Sequence, residues 1–119
     1  MTAGRNLFIT KQIAGGSPPL SLWSWGRNDT GFLGLGNVTN TYSSPKQVGL
    51  LTDWAQVYAG NFHTAAVKTD GTLWTWGNGG NGRLGHGNTT SYSSPKQVGA
   101  STTWVKAYTG NHHTCGLKQ

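Results

Sequence analysis

The chain repeats itself. Leu22-Trp23-Ser24-Trp25-Gly26 returns as Leu73-Trp74-Thr75-Trp76-Gly77, and Tyr42-Ser43-Ser44-Pro45-Lys46-Gln47-Val48-Gly49 returns unchanged from Tyr92 to Gly99. The offset is 51 residues and then 50, so omitting Thr41 aligns residues 22–69 with 73–119, and 26 of the 47 pairs are identical. Self-similarity at this period means that one supersecondary unit is used twice and that each unit buries its apolar surface against a neighbour.

Composition decides what the unit is made of. With 19 Gly, 10% charged residues and no Glu in 119 residues, Gly, Thr, Ser and Asn fill the places where Ala, Glu and Lys would build a helix. Six Trp, four Tyr and three Phe nevertheless supply large apolar surfaces, which sets it apart from chains that stay disordered. Short strand signals follow at regular intervals: Trp54 to Ala59, His63 to Lys68 and Leu73 to Trp76. Asp70-Gly71 between the last two predicts an antiparallel hairpin through a tight turn with positive φ angles. The stretches Gly26–Gly36 and Gly77–Gly87 are too rich in Gly for a strand and read as connecting loops. About fifty residues with roughly four short strands is the size of one propeller blade, so the chain is expected to be all-β.

The ordered motifs Leu-Trp-x-Trp-Gly, Gly-x-Leu-Gly-x-Gly, Ser-Pro-Lys-Gln-Val and Tyr-x-Gly-Asn-x-His-Thr, each present twice over residues 22–119, resemble the regulator of chromosome condensation repeat. The resemblance implies a β-propeller, usually of seven blades, whose repeat boundary is offset from its blade boundary. It divides the chain into an arm and hinge at 1–21, a first repeat at 22–72 and a second at 73–119. Among relatives, the founding member promotes nucleotide exchange on a small GTPase, and a bacterial relative inhibits β-lactamases. Plant relatives sense ultraviolet light with a Gly-Trp-x-His-Thr motif. Here Gly60-Asn61-Phe62-His63-Thr64 and Gly110-Asn111-His112-His113-Thr114 place Asn at the Trp position, which argues against photoreception.

The residues offer little to chemistry. Asp29, Asp53 and Asp70 are the only carboxylates, too few and too scattered for paired acid–base work, and no Ser or Thr has an evident base beside it. Gly77-Asn78-Gly79-Gly80-Asn81-Gly82 fits a dinucleotide fingerprint but is not followed by a helix that would face a pyrophosphate. His86, His112, His113 and Cys115 are zinc-type ligands without a spaced ligand set. The repeat makes His63 and His113 equivalent, expected to hydrogen-bond within their blade, and makes Cys115 the counterpart of Ala65, expected to pack as a small apolar group. No catalytic, cofactor or metal site is therefore assigned. Sequons at Asn28, Asn37 and Asn88 matter only on a eukaryotic secretory route.

Nine basic residues against three acidic ones give a charge of +6, without any adjacent Lys or Arg. Lys46, Lys96, Lys68 and Lys118, one pair per motif, predict rings of charge and weak, sequence-blind binding to nucleic acid. One cysteine rules out an internal disulfide, and no apolar run approaches a signal-peptide core or a membrane span. Specificity is expected where the repeats differ in loops, which selects Arg27, Phe32, Arg83 and His86 as a binding face. The expected function is a non-enzymatic structural or adhesive propeller module with a protein or glycan ligand, in a setting such as a phage virion. The alternative is a regulatory binding protein of the exchange-factor or enzyme-inhibitor kind. The final strand signal lacks a partner, as does the first, so the ring is expected to be completed by further sequence or by other copies in a cyclic homo-oligomer, preferably a trimer.

Overall fold

A computed structural model describes residues 18–39 and 41–119; most of the expected arm, 1–17, lies outside the described residues. Eight strands follow one another: β1 (Trp23–Gly26), β2 (Tyr42–Gln47), β3 (Trp54–Ala59), β4 (His63–Lys68), β5 (Leu73–Gly77), β6 (Tyr92–Gln97), β7 (Trp104–Thr109) and β8 (Thr114–Lys118). All named pairings are antiparallel. They form one four-stranded sheet, β3-β4-β5-β6, flanked by the two-stranded sheets β1-β2 and β7-β8. The chain is all-β, and its complete blade takes two strands from each repeat, so the sheet crosses the repeat boundary. The flanking pairs are the outer half of one blade and the inner half of another.

Alternation gives the complete blade two apolar faces. Trp54, Ala66 and Trp76 pack with Leu22 and Val48 from the β1-β2 side. Ala65, Val67 and Leu73 meet Ala107 of β7 on the other face. The aromatic residues interlock edge-on: Trp54 lies 6.3 Å from Trp74 and 6.0 Å from Trp76. The equivalent strands β3 and β7 come close enough for Tyr58 and Tyr108 to sit 5.8 Å apart, which marks the inner edge where blades converge.

Neighbours, and not residue type, decide which Trp is buried. Trp76 is 1% exposed, whereas its repeat counterpart Trp25 is 59% exposed because no blade precedes β1 among the described residues. The same cause overturns the expectation for Cys115. Its counterpart Ala65 is fully buried against β7, but Cys115 stands exposed on β8.

The hairpin joining β4 to β5 forms as expected, but through a longer turn. Lys68 N–H donates to the Thr72 carbonyl and Gly71 N–H to that of Lys68, which leaves three residues, 69–71, in the loop. Gly71 alone carries a positive φ there (+83°); Asp70 instead accepts from the Thr72 amide and hydroxyl. A Cβ on Gly71 would also lie 1.9 Å from the Thr102 carbonyl oxygen, whereas Gly49, at φ +64°, has open space around it. Both positions charge an L-residue for left-handed backbone, but Gly71 adds a collision with main chain. Gly71→Ala is therefore expected to lose ~1–3 kcal/mol more stability than Gly49→Ala, read from urea unfolding midpoints.

Candidate functional site

The turns between inner strands and the Gly-rich loops after β1 and β5 meet at one end of the blades, joined by hydrogen bonds that run between units. The Phe32 carbonyl accepts from the Thr64 hydroxyl and from Trp76 Nε1–H, both at 2.8 Å. One repeat later the Arg83 carbonyl accepts from the Thr114 hydroxyl at 2.7 Å. His63 Nε2 lies 2.8 Å from that same hydroxyl. The hydroxyl has a single proton and gives it to Arg83, so His63 donates through Nε2–H. This bond crosses from β4 to β8 in the next blade, which corrects the expectation that this histidine bonds within its own blade.

With Nε2 protonated, His63 Nδ1 is a buried acceptor without a partner. Burial, followed by the positive charge of Arg83, pushes the imidazole down to about 4.

Beside these bonds three rings form a row. Phe32 and Phe62 are 6.4 Å apart and tilted, and Phe62 stacks on His112 at 6.2 Å with planes 20° apart. Phe32 follows β1, Phe62 lies in the β3–β4 turn and His112 in the β7–β8 turn, so the row crosses three successive blades. The Arg83 guanidinium sits 5.5 Å from the Phe62 ring centre. Phe62 is half-buried, and His112, Asn61 and Asn111 are exposed.

The four residues singled out from sequence separate here. Arg27 is exposed, holds Asp29 at 2.5 Å and lines a cavity of ≈ 390 Å³ together with Phe32 and Asn61. Arg83 is 7% exposed, with its guanidinium donating to the Gly80 and Asn111 carbonyls and to Asn81 Oδ1. His86 turns away towards β6. It lies 2.9 Å from the Thr75 hydroxyl and edge-on to Tyr92, and burial together with the charge of Lys96 lowers its pKa. Phe62 and His112 were missed, although they are a repeat pair that differs strongly within a turn; the surrounding motif drew attention to scaffold instead.

The expected lysine rings are also uneven. Lys46 and Lys96 are exposed above Tyr42 and Tyr92, and Lys118 above Trp104. Lys68 is buried, its ammonium 4.1 Å from the Trp74 ring centre and 5.0 Å from that of Trp54. Among the described residues no three His, Cys, Asp or Glu side chains gather as metal ligands, and no helix is long and apolar enough to cross a membrane.

The family model described as "Regulator of chromosome condensation (RCC1) repeat" matches residues 21–67 and again 70–117. The chain belongs to this repeat family. A relative, the protein RCC2 homolog of Danio rerio, is 45% identical over 71 residues, which is 58% of this chain and 14% of that protein. The E3 ubiquitin-protein ligase HERC2 of Homo sapiens is 40% identical over 68 residues, or 56% of this chain and 1% of that protein. Among solved structures, Prp20p of Saccharomyces cerevisiae superposes with a TM-score of 0.73 at 22% identity, and human WBSCR16 with 0.71 at 24%. Each superposition covers 83% of this chain and 27% of the other, so the RCC1 repeats here span about a quarter of those propellers.

The state of His63 sets a pH dependence. Its folded pKa lies below the unfolded value of ~6.5, so the stability it contributes is present above that value and is lost as pH falls towards about 4. The urea midpoint is expected to drop between pH 7.5 and pH 4.5, and His63→Gln, which retains an N–H donor, to flatten that part of the curve.

Proposed function

We propose that this chain is a non-enzymatic, protein-binding propeller module of a regulatory protein, of the exchange-factor or inhibitor kind, and that it binds through the end carrying Phe32, Phe62 and His112. The observation that carries this reading is the ring row itself: three aromatic side chains from three blades, with the exposed Arg27 beside the same end. Aromatic and Arg side chains are the types that anchor protein interfaces. Partly buried hydrogen bonds fix the loops beneath them, so little ordering is required on binding.

The carboxylates support a role without catalysis. Asp29 is paired with Arg27 and Asp70 braces its own turn. The structural, virion setting expected from composition gains nothing from the relatives and neighbours named above. They include a ubiquitin ligase and Prp20p, a protein with binding properties to Gsp1p and histones. The regulatory alternative is accordingly the reading we adopt. A charge of +6 favours a partner surface that is acidic, which disfavours histones. It leaves Gsp1p as the more informative probe.

The test is retention of Gsp1p and of histones on the immobilised chain. Retention of Gsp1p is expected, and Arg27→Ala with His112→Ala, both exposed positions, should weaken it about tenfold with the melting temperature unchanged. Failure to retain Gsp1p overturns the exchange-factor form. Retention that ignores both substitutions overturns the placement of the face.

A further inference from the structure

We propose that the cleft between the loop after β1 and the complete blade is a binding site for a small monocarboxylate with an apolar body, held by Lys68 and Trp54. The cleft measures ≈ 290 Å³, and its lining residues all lie between Gly34 and Pro95, so neither β1 nor β8 contributes to it. Cavities that hold small ligands run upward from ~300 Å³, which suits this one to a molecule at the small end of that range. None of Phe32, Phe62 and His112 lines it, so the site goes beyond the reading of the binding face.

Two hydrogen-bond donors meet on one wall. Lys68 is 7% exposed and is the one charged side chain among the described lining residues. Asp53 Oδ1, the oxygen paired with its ammonium, stands 3.9 Å away, beyond hydrogen-bond reach, and has no hydrogen-bond partner among the described residues. Charge is offset at that range, but no N–H of the ammonium is spent on it. Trp54, 5% exposed, lines the same wall, and its Nε1–H is likewise without a partner among the described residues. Buried donors in native structures nearly always have an acceptor, so two of them on one wall mark the place of one. The ammonium is 5.0 Å from the centre of the Trp54 ring, close enough for the two oxygens of a single carboxylate to serve both donors. A carboxylate also answers the ammonium's charge, which makes it a stronger acceptor there than a neutral oxygen.

The remaining wall is apolar, built from Leu35, Val48, Leu51 and Pro95. Val48 is buried and Leu51 is half exposed, which puts the floor at the first and the mouth at the second. An alkyl or aryl carboxylate satisfies donors and wall together, whereas an inorganic anion meets the donors alone. The second repeat separates the two halves of the site. Trp104 and Lys118 are the counterparts of Trp54 and Lys68; Trp104 Nε1 again has no partner among the described residues, and the Lys118 ammonium lies 5.0 Å from its ring centre. The apolar wall does not recur, since His86 and Ser101 stand where the first repeat has Leu35 and Leu51. The donor pair belongs to the repeat, and the apolar wall confines the site to the first one.

Octanoate is the probe, titrated into the full chain by calorimetry with the tryptophan fluorescence followed in parallel. Saturable binding is expected, and octanol, which has the same body without the charge, is expected to bind at least about tenfold more weakly. Lys68→Met should weaken octanoate by about tenfold or more and leave octanol unchanged. Leu51→Glu, at the exposed mouth, sets a like charge in the path of the ligand and should abolish octanoate binding with the melting temperature unchanged, which keeps the test decisive if Lys68→Met does not fold. Lys46→Ala, an exposed cation on β2 outside the cleft, should change nothing. Absence of saturable octanoate binding overturns the site, as does equal binding of octanol. So does octanoate binding that survives both Lys68→Met and Leu51→Glu, or a loss on Lys46→Ala equal to that on Lys68→Met. The probe is not a protein and the cleft shares no ring with the aromatic row, so these results are independent of retention of Gsp1p.

Discussion

One backbone carbonyl per repeat holds this fold together. The Phe32 oxygen, at the end of one blade, takes a hydroxyl proton from Thr64 and an indole proton from Trp76 in the following blade. Trp76 is buried while Phe32 and Thr64 are half-buried, so loss of the Thr64 hydroxyl would leave the carbonyl with its indole donor, and loss of the indole would leave it with the hydroxyl. The apolar contacts between blades are non-directional and would tolerate sliding. The carbonyl is directional and does not. It sets how far one blade turns relative to the next, and the Gly-rich loop after β1 exists to present it at that angle.

That division of labour explains what the sequence discloses. Repeats, strand runs and the β4–β5 hairpin are readable because strand alternation and turn chemistry act over a few residues. The offset between repeat and blade is not local, and it was visible only through resemblance. What stayed hidden depends on partners in another blade, 28 to 51 residues away. Nothing near His63 says that its proton goes to Thr114, and nothing near Arg83 says that its guanidinium reaches the Asn111 carbonyl. Identical motifs can also have unlike environments: Trp25 and Trp76 share a motif but not a neighbour.

The binding end shows the same economy from the other side. The β3–β4 and β7–β8 turns hold their Gly, Asn, His and Thr in common, and within them only Phe62 and His112 differ. Of the shared groups, His63, Thr64 and Thr114 enter the inter-blade bonds while Asn61 and Asn111 are exposed, and the varied position contributes its ring to the row. A scaffold built this way can change what it recognises without disturbing how its blades are joined.

Lys68 carries a consequence for how this chain is felt at a distance. An ammonium enclosed by two indole faces and 3.9 Å from Asp53 is compensated where it stands. Arg27 is likewise answered by Asp29. The formal charge of +6 therefore overstates the field that an approaching molecule meets, and among the described residues the exposed remainder lies on Lys46 and Lys96 of the equivalent strands β2 and β6 and on Lys106 and Lys118 of β7 and β8. Long-range attraction for an anionic body is then spread over the outer strands and the β7-β8 hairpin alike, and added salt weakens it at these exposed lysines far more than at the enclosed Lys68.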